Sequence, residues 1–337
     1  LVREFANGSP ESTPGHQEIE LGLVKLYRVT GEKKYLDLAK FFIDQRGNAE
    51  GHNTTEGKYA GKYQQDHVPL PLQKEAVGHA VRAGYFYAAA TDVAALTGES
   101  AYDEALHNIW NNIVHQKIYL TGGIGAEPRH EGFGPNYELP NATAYTETCA
   151  AIALMLWNQR MFLKSGEVKY MDLFERTLYN GFLSGVSFEG NTFFYPNPLE
   201  ADGFTKFNQG VCGRSPWFDC SCCPVNVVRI LPSLPGYIYA TKENKVFVNL
   251  YMSNRAEITL GNQTLQLSQT TNYPWDGKIE IEVVNTTTVS AVFNLRVPGW
   301  ERNEVMDGDL YRNADEYTPA VSLKVNGNNV NHLRKNG

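Results

Sequence analysis

Residues 219–226 read D-C-S-C-C-P-V-N, which places Cys220, Cys222 and Cys223 within four positions of a chain that has only five cysteines. Adjacent cysteines make a strained disulfide with one another, and an odd total excludes complete pairing. A second stretch, Y-T-E-T-C at 145–149, adds a Glu-x-Cys pair, Glu147 and Cys149. One carboxylate and three thiols are the donor set of a four-coordinate zinc shell. Structural zinc is normally held by two C-x-x-C pairs on short loops, and this sequence has none. Positions 149 and 222 are 73 residues apart, so an ion would bridge two distant segments. On residue types alone three readings stay open: metal ligation, reduced thiols buried in a core, and disulfide pairing.

A third stretch, G-G-I-G-A-E-P-R-H-E-G-F-G-P-N-Y-E-L-P-N at 122–141, carries Glu127, Glu131 and Glu138 among glycines. Glycine lets a backbone approach a ligand closely. Glu131, between His130 and Gly132, is the candidate acid/base; each of the three also reads as an ordinary solvated loop acid. The many aromatic residues suit stacking on sugars and equally suit a plain core.

These groups have to be brought together by the elements around them. Three segments share one pattern: L-Y-R-V-T-G-E-K-K-Y around Gly31, A-A-L-T-G-E-S-A-Y around Gly98, and M-F-L-K-S-G-E-V-K-Y around Gly166. The glycines are 67 residues (31 to 98) and 68 residues (98 to 166) apart. A Gly just beyond an apolar helical run is a stop signal, so each unit reads as helix A, a tight turn, then helix B. Leu21, Val24 and Tyr27 precede the first turn, and Leu36, Ala39, Phe42 and Ile43 follow it at helical spacing. Long Gly-, Pro- and Asn-rich connections such as 47–72, 120–144 and 184–221 join one unit to the next. Loops of that length are uncommon unless they have a job. If the short turns share one face of the stack, the starts of all A helices share the other. His16, His79, Glu147 with Cys149, and the Cys222–Cys223 pair all fall at such starts. Residues far apart in sequence are therefore expected on one rim.

From about residue 244 the apolar period shortens to alternation: K-V-F-V-N-L-Y, A-E-I-T-L, K-I-E-I-E-V-V, V-S-A-V-F-N-L-R-V and S-L-K-V-N-G. Short strands separated by turn residues predict an antiparallel β-sandwich. The expected organisation is a mainly α chain: helical hairpins over 1–240, then the sandwich over 241–337. A net charge of -7 with no basic block argues against nucleic acid. No apolar run reaches the ~18 residues of a membrane span. The first residues, L-V-R-E-F-A-N-G, carry no secretory pattern. Six helix pairs of this repeat need roughly 400 residues, so the chain is expected to be incomplete at both ends.

In order along the chain, G-H-A-V-R-A (78–83), T-G-G-I-G with E-G-F-G, Y-E-L-P-N, Y-T-E-T-C-A and C-x-C-C-P-x-N resemble glycoside hydrolase family 127, the bacterial β-L-arabinofuranosidases, and related families of its clan. The likeness covers most of residues 15–335. It implies part of an (α/α)6 barrel followed by β-sandwich domains, and a retaining exo-glycosidase that acts on terminal β-L-arabinofuranosides. Carried over by motif, Cys222 is the nucleophile and Glu131 the acid/base. Glu147, Cys149, Cys222 and Cys223 hold Zn2+, and His79, His16 and Tyr195 contact the sugar. The implied partner is an arabinose-containing oligosaccharide or glycan, with no nucleic acid and no membrane; a homodimer and a bacterial cytoplasmic or periplasmic location are compatible with it. An acid in the first step must be protonated, so the carboxyl pKa of Glu131 is expected to be raised by burial or by the anionic shell.

Two other classes remain open at this level. One is a different carbohydrate-active enzyme on the same toroid (a hydrolase, lyase or epimerase for an acidic or unusual sugar) that relies on His and carboxylates; there Cys222→Ser is nearly silent. The other is a non-catalytic carbohydrate-binding relative whose zinc only fixes the fold; there a chelator lowers the melting temperature while no glycoside is cleaved. Fold alone does not choose among them. The Glu-x-Cys and C-C-P residues do.

Overall fold

A computed structural model describes residues 13–48, 61–284, 290–315 and 321–331. The three Gly-Glu repeats form three helical hairpins: α1 (Glu18–Thr30) with α2 (Lys33–Gln45), α3 (Ala80–Thr97) with α4 (Ala101–Asn112), and α5 (Thr148–Ser165) with α6 (Val168–Arg176). Each A helix ends on its repeat glycine. Gly31, Gly98 and Gly166 have φ of 71°, 75° and 76°, and their N–H groups bond back to the carbonyls of Tyr27, Ala94 and Phe162. A side chain at those left-handed positions is strained, which is why the turn selects glycine.

The A helices form an inner layer, α1 on α3 and α3 on α5. Helices α3 and α5 are buried on almost every face, so their sequences are apolar all round rather than striped. Close approach is allowed by Gly84, where a Cβ would come within 2.6 Å of the Ala153 Cβ. The B helices bury one stripe each; α4, for example, turns in Tyr102, Ala105, Leu106, Ile109 and Trp110. Both α4 and α6 run on into a π-helical turn, Ile113–Lys117 and Thr177–Phe182, before the long loops that carry the chain to the next A helix. A fourth A-type helix, α7 (Cys222–Ile230), begins on the cysteine pair itself. Pro224 is tolerated there because the first turn of a helix needs no partner for its N–H.

The chain divides into two compact units: Leu1–Val227 with Val305–Ala314, and Val228–Glu304 with Asp315–Gly337. The second unit begins with the end of α7 and the short α8 (Pro235–Ile238) and is otherwise sheet. Strands β1 (Tyr239–Lys242), β2 (Lys245–Val248) and β6 (Val292–Leu295) form one three-stranded sheet. Strands β3 (Asn254–Leu260), β4 (Gln263–Thr271) and β5 (Ile279–Val283) form another. Val246 of β2 packs with Ile258, Leu260, Leu265 and Leu267 of β3 and β4 in one buried core, the face-to-face arrangement of a sandwich. A small ribbon, β7 (Lys324–Val325) with β8 (Asn328–Asn329), follows. Pairing is antiparallel except between β2 and β6, which run parallel. Among the described helices none is long and apolar enough to cross a membrane.

Candidate active site and metal centre

The starts of α3, α5 and α7 meet, and each contributes reactive side chains. His79 is the N-cap of α3. Its Nδ1 accepts the Val81 N–H at 3.2 Å, which leaves the proton on Nε2, 2.9 Å from Glu131 Oε2. The backbones of the G-H and E-G pairs lock together: Phe133 N–H donates to the Gly78 carbonyl at 2.9 Å, and Ala80 N–H to the Glu131 carbonyl at 3.0 Å. A Cβ on Gly132 would lie 2.2 Å from the Gly78 oxygen, so only glycine permits this pairing. Glu131 is therefore set opposite His79 by the absence of a side chain at Gly132.

The other oxygen of Glu131, Oε1, accepts the Tyr145 hydroxyl at 2.7 Å. Tyr145 and Glu147 flank Thr146, whose φ of 36° is unusual for a β-branched residue. Strain of this kind costs on the order of 1–3 kcal/mol and persists only where the surroundings enforce it. Here Thr146 N–H donates to the Gly125 carbonyl at 2.7 Å, and its hydroxyl donates to the Asn197 carbonyl at 2.6 Å. Tyr145 thus reaches Glu131, while Glu147 reaches the sulfurs.

Glu147 is the N-cap of α5 and Cys149 lies in its first turn. Cys222 Sγ is 3.5 Å from Cys149 Sγ, 3.9 Å from Cys223 Sγ and 3.3 Å from Glu147 Oε1; Cys223 Sγ is 3.4 Å from the same oxygen. The four donor atoms all lie within 4.8 Å of one another. A tetrahedral zinc shell with bonds of about 2.3 Å to sulfur and about 2.0 Å to oxygen has S–S edges of about 3.8 Å and S–O edges of about 3.5 Å. The cluster is close to that size. Glu147 is 2% exposed, and its Oε2 has no hydrogen-bond partner. A buried carboxylate oxygen left bare among thiols fits a cation. The positive ends of the helix dipoles at α5 and α7 favour the same negative donors.

Cys149 and Cys223 are fully buried, whereas Cys222 is half-buried. Burial pushes the Cys149 and Cys223 thiols and the Glu147 carboxyl well up from their usual ranges. Cys222 moves the other way: the Cys149 and Cys223 thiols, and the Tyr195 hydroxyl 3.0 Å away, hold its pKa far below that of an ordinary thiol. The direction of that shift favours the anion on the sulfur that is only half-buried. Tyr195 is fixed by its backbone: its N–H donates to Asn208 Oδ1 at 2.8 Å, and its carbonyl accepts the Thr148 N–H at 3.1 Å.

The residues singled out in the sequence separate clearly. Glu147, Cys149, Cys222, Cys223 and Tyr195 form one cluster, and His79 with Glu131 adjoins it, the His79, Glu131 and Glu147 donor atoms again lying within 4.8 Å. His16 precedes α1, with its ring centroid 5.8 Å from that of Tyr85, a residue tied to the sulfurs through Asn226. Glu127 caps a turn by accepting the Arg129 N–H, and Glu138 is exposed. Cys220 is exposed and stands 4.0 Å from the Tyr195 hydroxyl, outside the shell. The expected upward shift of Glu131 is not found. His79, and with it the Tyr145 hydroxyl, holds the carboxyl below its usual range against the effect of burial, because two donors facing a carboxylate outweigh the more distant anionic shell. Tyr145, Tyr85 and Asn226 had no assigned role in the sequence. Asn226 had a legible signal: it stands one helical turn beyond Cys222, hence on the same face.

The model of the GH127 catalytic domain of β-L-arabinofuranosidase matches residues 6–236, and that of the GH127 middle domain matches 245–337. The non-reducing end β-L-arabinofuranosidase of Bifidobacterium longum subsp. longum is 37% identical over 324 residues, 88% of this chain and 49% of that protein. A solved GH127 β-arabinofuranosidase superposes with a TM-score of 0.88 at 51% identity, over 97% of this chain and 49% of its own. A GH127 β-L-arabinofuranosidase from Geobacillus stearothermophilus T6 gives a TM-score of 0.85 at 37% identity, over 96% of this chain and 51% of its own. The chain spans about half the length of these relatives.

Proposed function

Since this chain belongs to the GH127 β-L-arabinofuranosidase family, we propose that it hydrolyses terminal β-L-arabinofuranosides with retention of configuration, with Cys222 as nucleophile and Glu131 as acid/base. The helical part, residues 1–240, would carry the chemistry, and the sheet domain over 241–337 would follow it. One observation carries the assignment of the nucleophile. Cys222 is the least buried of three sulfurs gathered around Glu147, and its neighbours' hydrogen bonds favour its anion.

Glu147, Cys149, Cys222 and Cys223 would hold Zn2+. When bound, that ion would keep a thiolate at neutral pH and stabilise charge on its sulfur. In the first step Cys222 Sγ forms a bond to the anomeric carbon as the bond to the leaving oxygen breaks, and Glu131 gives that oxygen a proton. In the second, Glu131 takes a proton from water, the water oxygen bonds to the anomeric carbon, and the C–S electron pair returns to Cys222. His79 Nε2–H and the Tyr145 hydroxyl fix the two oxygens of Glu131 and favour its carboxylate, the form the second step needs; the first step draws on the minor protonated form. Tyr195, His79 and His16 would contact the sugar. The partner would be an arabinose-containing oligosaccharide or glycan.

The test is release of 4-nitrophenol from 4-nitrophenyl β-L-arabinofuranoside, with and without a chelator. Cys222→Ser is expected to cut turnover by about 10^4-fold or more, by analogy with loss of other enzymic nucleophiles. Undiminished activity in that variant would end the thiolate proposal. Chelation that lowers the melting temperature of a protein with no activity would favour the purely structural role of the metal.

A further inference from the structure

Resting on the metal-centre reading above, we infer that Asn226 is a positioning residue that gives the three thiols different roles, by anchoring Cys149 as a non-reacting ligand through an N–H···S hydrogen bond. Asn226 lies in α7, four residues after Cys222 and three after Cys223, so helix geometry puts all three on one face. Its amide is buried. Nδ2 is 3.0 Å from Cys149 Sγ and 2.7 Å from the Tyr85 hydroxyl oxygen. A primary amide has two N–H groups, and here each has an acceptor.

The consequence follows from burial. Cys149 is wholly enclosed, so a negative sulfur there has no water to stabilise it and depends on donors from the protein. An N–H aimed at a ligand sulfur draws electron density from it, which holds the ligand in place and makes it a poorer nucleophile. Cys222 also lies 3.0 Å from a hydroxyl, that of Tyr195, but it keeps an open side. The three thiols are alike in chemistry and differ in what faces them. Tyr85 fixes the far side of the amide, and its ring is the one against which His16 packs, so the sulfur anchor is continuous with the expected sugar side.

A packing role for Asn226 makes a different prediction from a donor role, because Asp is isosteric with Asn but offers no N–H. Zinc affinity of the full chain can be measured by competition with a chromogenic chelator. Asn226→Ala is expected to weaken it by about 10- to 100-fold, the usual effect of losing a group that orients a ligand. Asn226→Asp is expected to lose at least as much, since a carboxylate would then face an anionic sulfur. With cobalt(II) in place of zinc, the sulfur-to-metal charge-transfer band is expected at lower energy in Asn226→Ala, as the unbonded sulfur is richer in electrons. Asp retaining the parent affinity while Ala loses it, or both variants matching the parent, would overturn the inference and leave the metal centre standing. If the parent binds neither metal, the metal-centre reading fails and takes this one with it. A measurement needing no variant guards against misfolding: in the parent loaded with cadmium-113, the side-chain amide protons of Asn226 should couple to the metal through the hydrogen bond, and absence of that coupling also overturns the inference.

Discussion

Glu20 and Glu147 are both deeply buried carboxylates of the helical unit, and the chain treats them in opposite ways. Glu20 of α1 is fully enclosed, with the Arg46 guanidinium 3.8 Å away and the same guanidinium 3.6 Å from Asp66. Arg46 is itself wholly buried and donates to the Pro14 carbonyl at 2.7 Å. Glu147 of the site is almost as deeply buried, yet the charges acting on it, Cys222 and Glu131, are negative. Burial raises both acids, Glu20 to about 7 with Arg46 pulling it back, and Glu147 well above its usual range. In one place the sequence supplies its own cation. In the other the neighbours are sulfurs and a second acid, so a cation would come from outside the chain; the bare oxygen itself does not separate the two, since neither Glu20 oxygen has a hydrogen-bond partner either.

The largest effect should come from removing the internal cation. Arg46→Leu leaves Glu20 and Asp66 buried without their counter-charge, and breaking such a pair costs about 3–5 kcal/mol. Denaturant unfolding should show that loss equally with and without a chelator. A loss under about 1 kcal/mol would mean that Arg46 is not the counter-ion described, on the scale expected of a broken buried pair. Next is a pH dependence. A carboxyl with a folded pKa of about 7 and an unfolded one near ~4.3 binds more protons in the native state between those values. Stability from this group is therefore complete below the unfolded pKa and declines as pH rises to about 7. The decline totals on the order of 3 kcal/mol. Glu20→Gln should flatten it; an unchanged slope would assign the titration to another group.

The contrast also explains what could be read from the sequence and what could not. The Gly-Glu turns were legible because a left-handed helix stop is a local need that glycine meets, and all three fall where expected. So was the shared rim, because helix starts follow from those stops. Strand β4, Q-T-L-Q-L-S-Q-T-T, was missed: its only large apolar side chains are Leu265 and Leu267, among polar residues. The parallel pairing of β2 with β6 joins strands with three others between them in sequence, which alternation does not reveal. At the site, donor types were legible and their hydrogen bonding was not. Asn226 meets Tyr85 across 141 residues, and no local pattern announces it. For the same reason the shift of Glu131 was expected in the wrong direction: the sequence shows an anionic shell, whereas the structure shows which donors face the carboxylate.

The smallest effect in the metal-free protein, and the sharpest for the comparison, concerns Glu147. Glu147→Gln keeps the shape of the side chain and removes the charge. If Glu147 were an ordinary buried acid like Glu20, with its partner inside the protein, the substitution would destabilise the fold whatever the metal content. If its partner is an ion from solution, two results should part company. The metal-free variant should lie within about 1 kcal/mol of the metal-free parent, because burial already favours the neutral Glu147 carboxyl and the amide is its near isostere. Added zinc should then raise the melting temperature of the parent far more than that of the variant, because stabilisation by a ligand grows with its affinity for the folded state. Equal shifts in the two proteins would remove Glu147 from the ligand set and undo the contrast with Glu20.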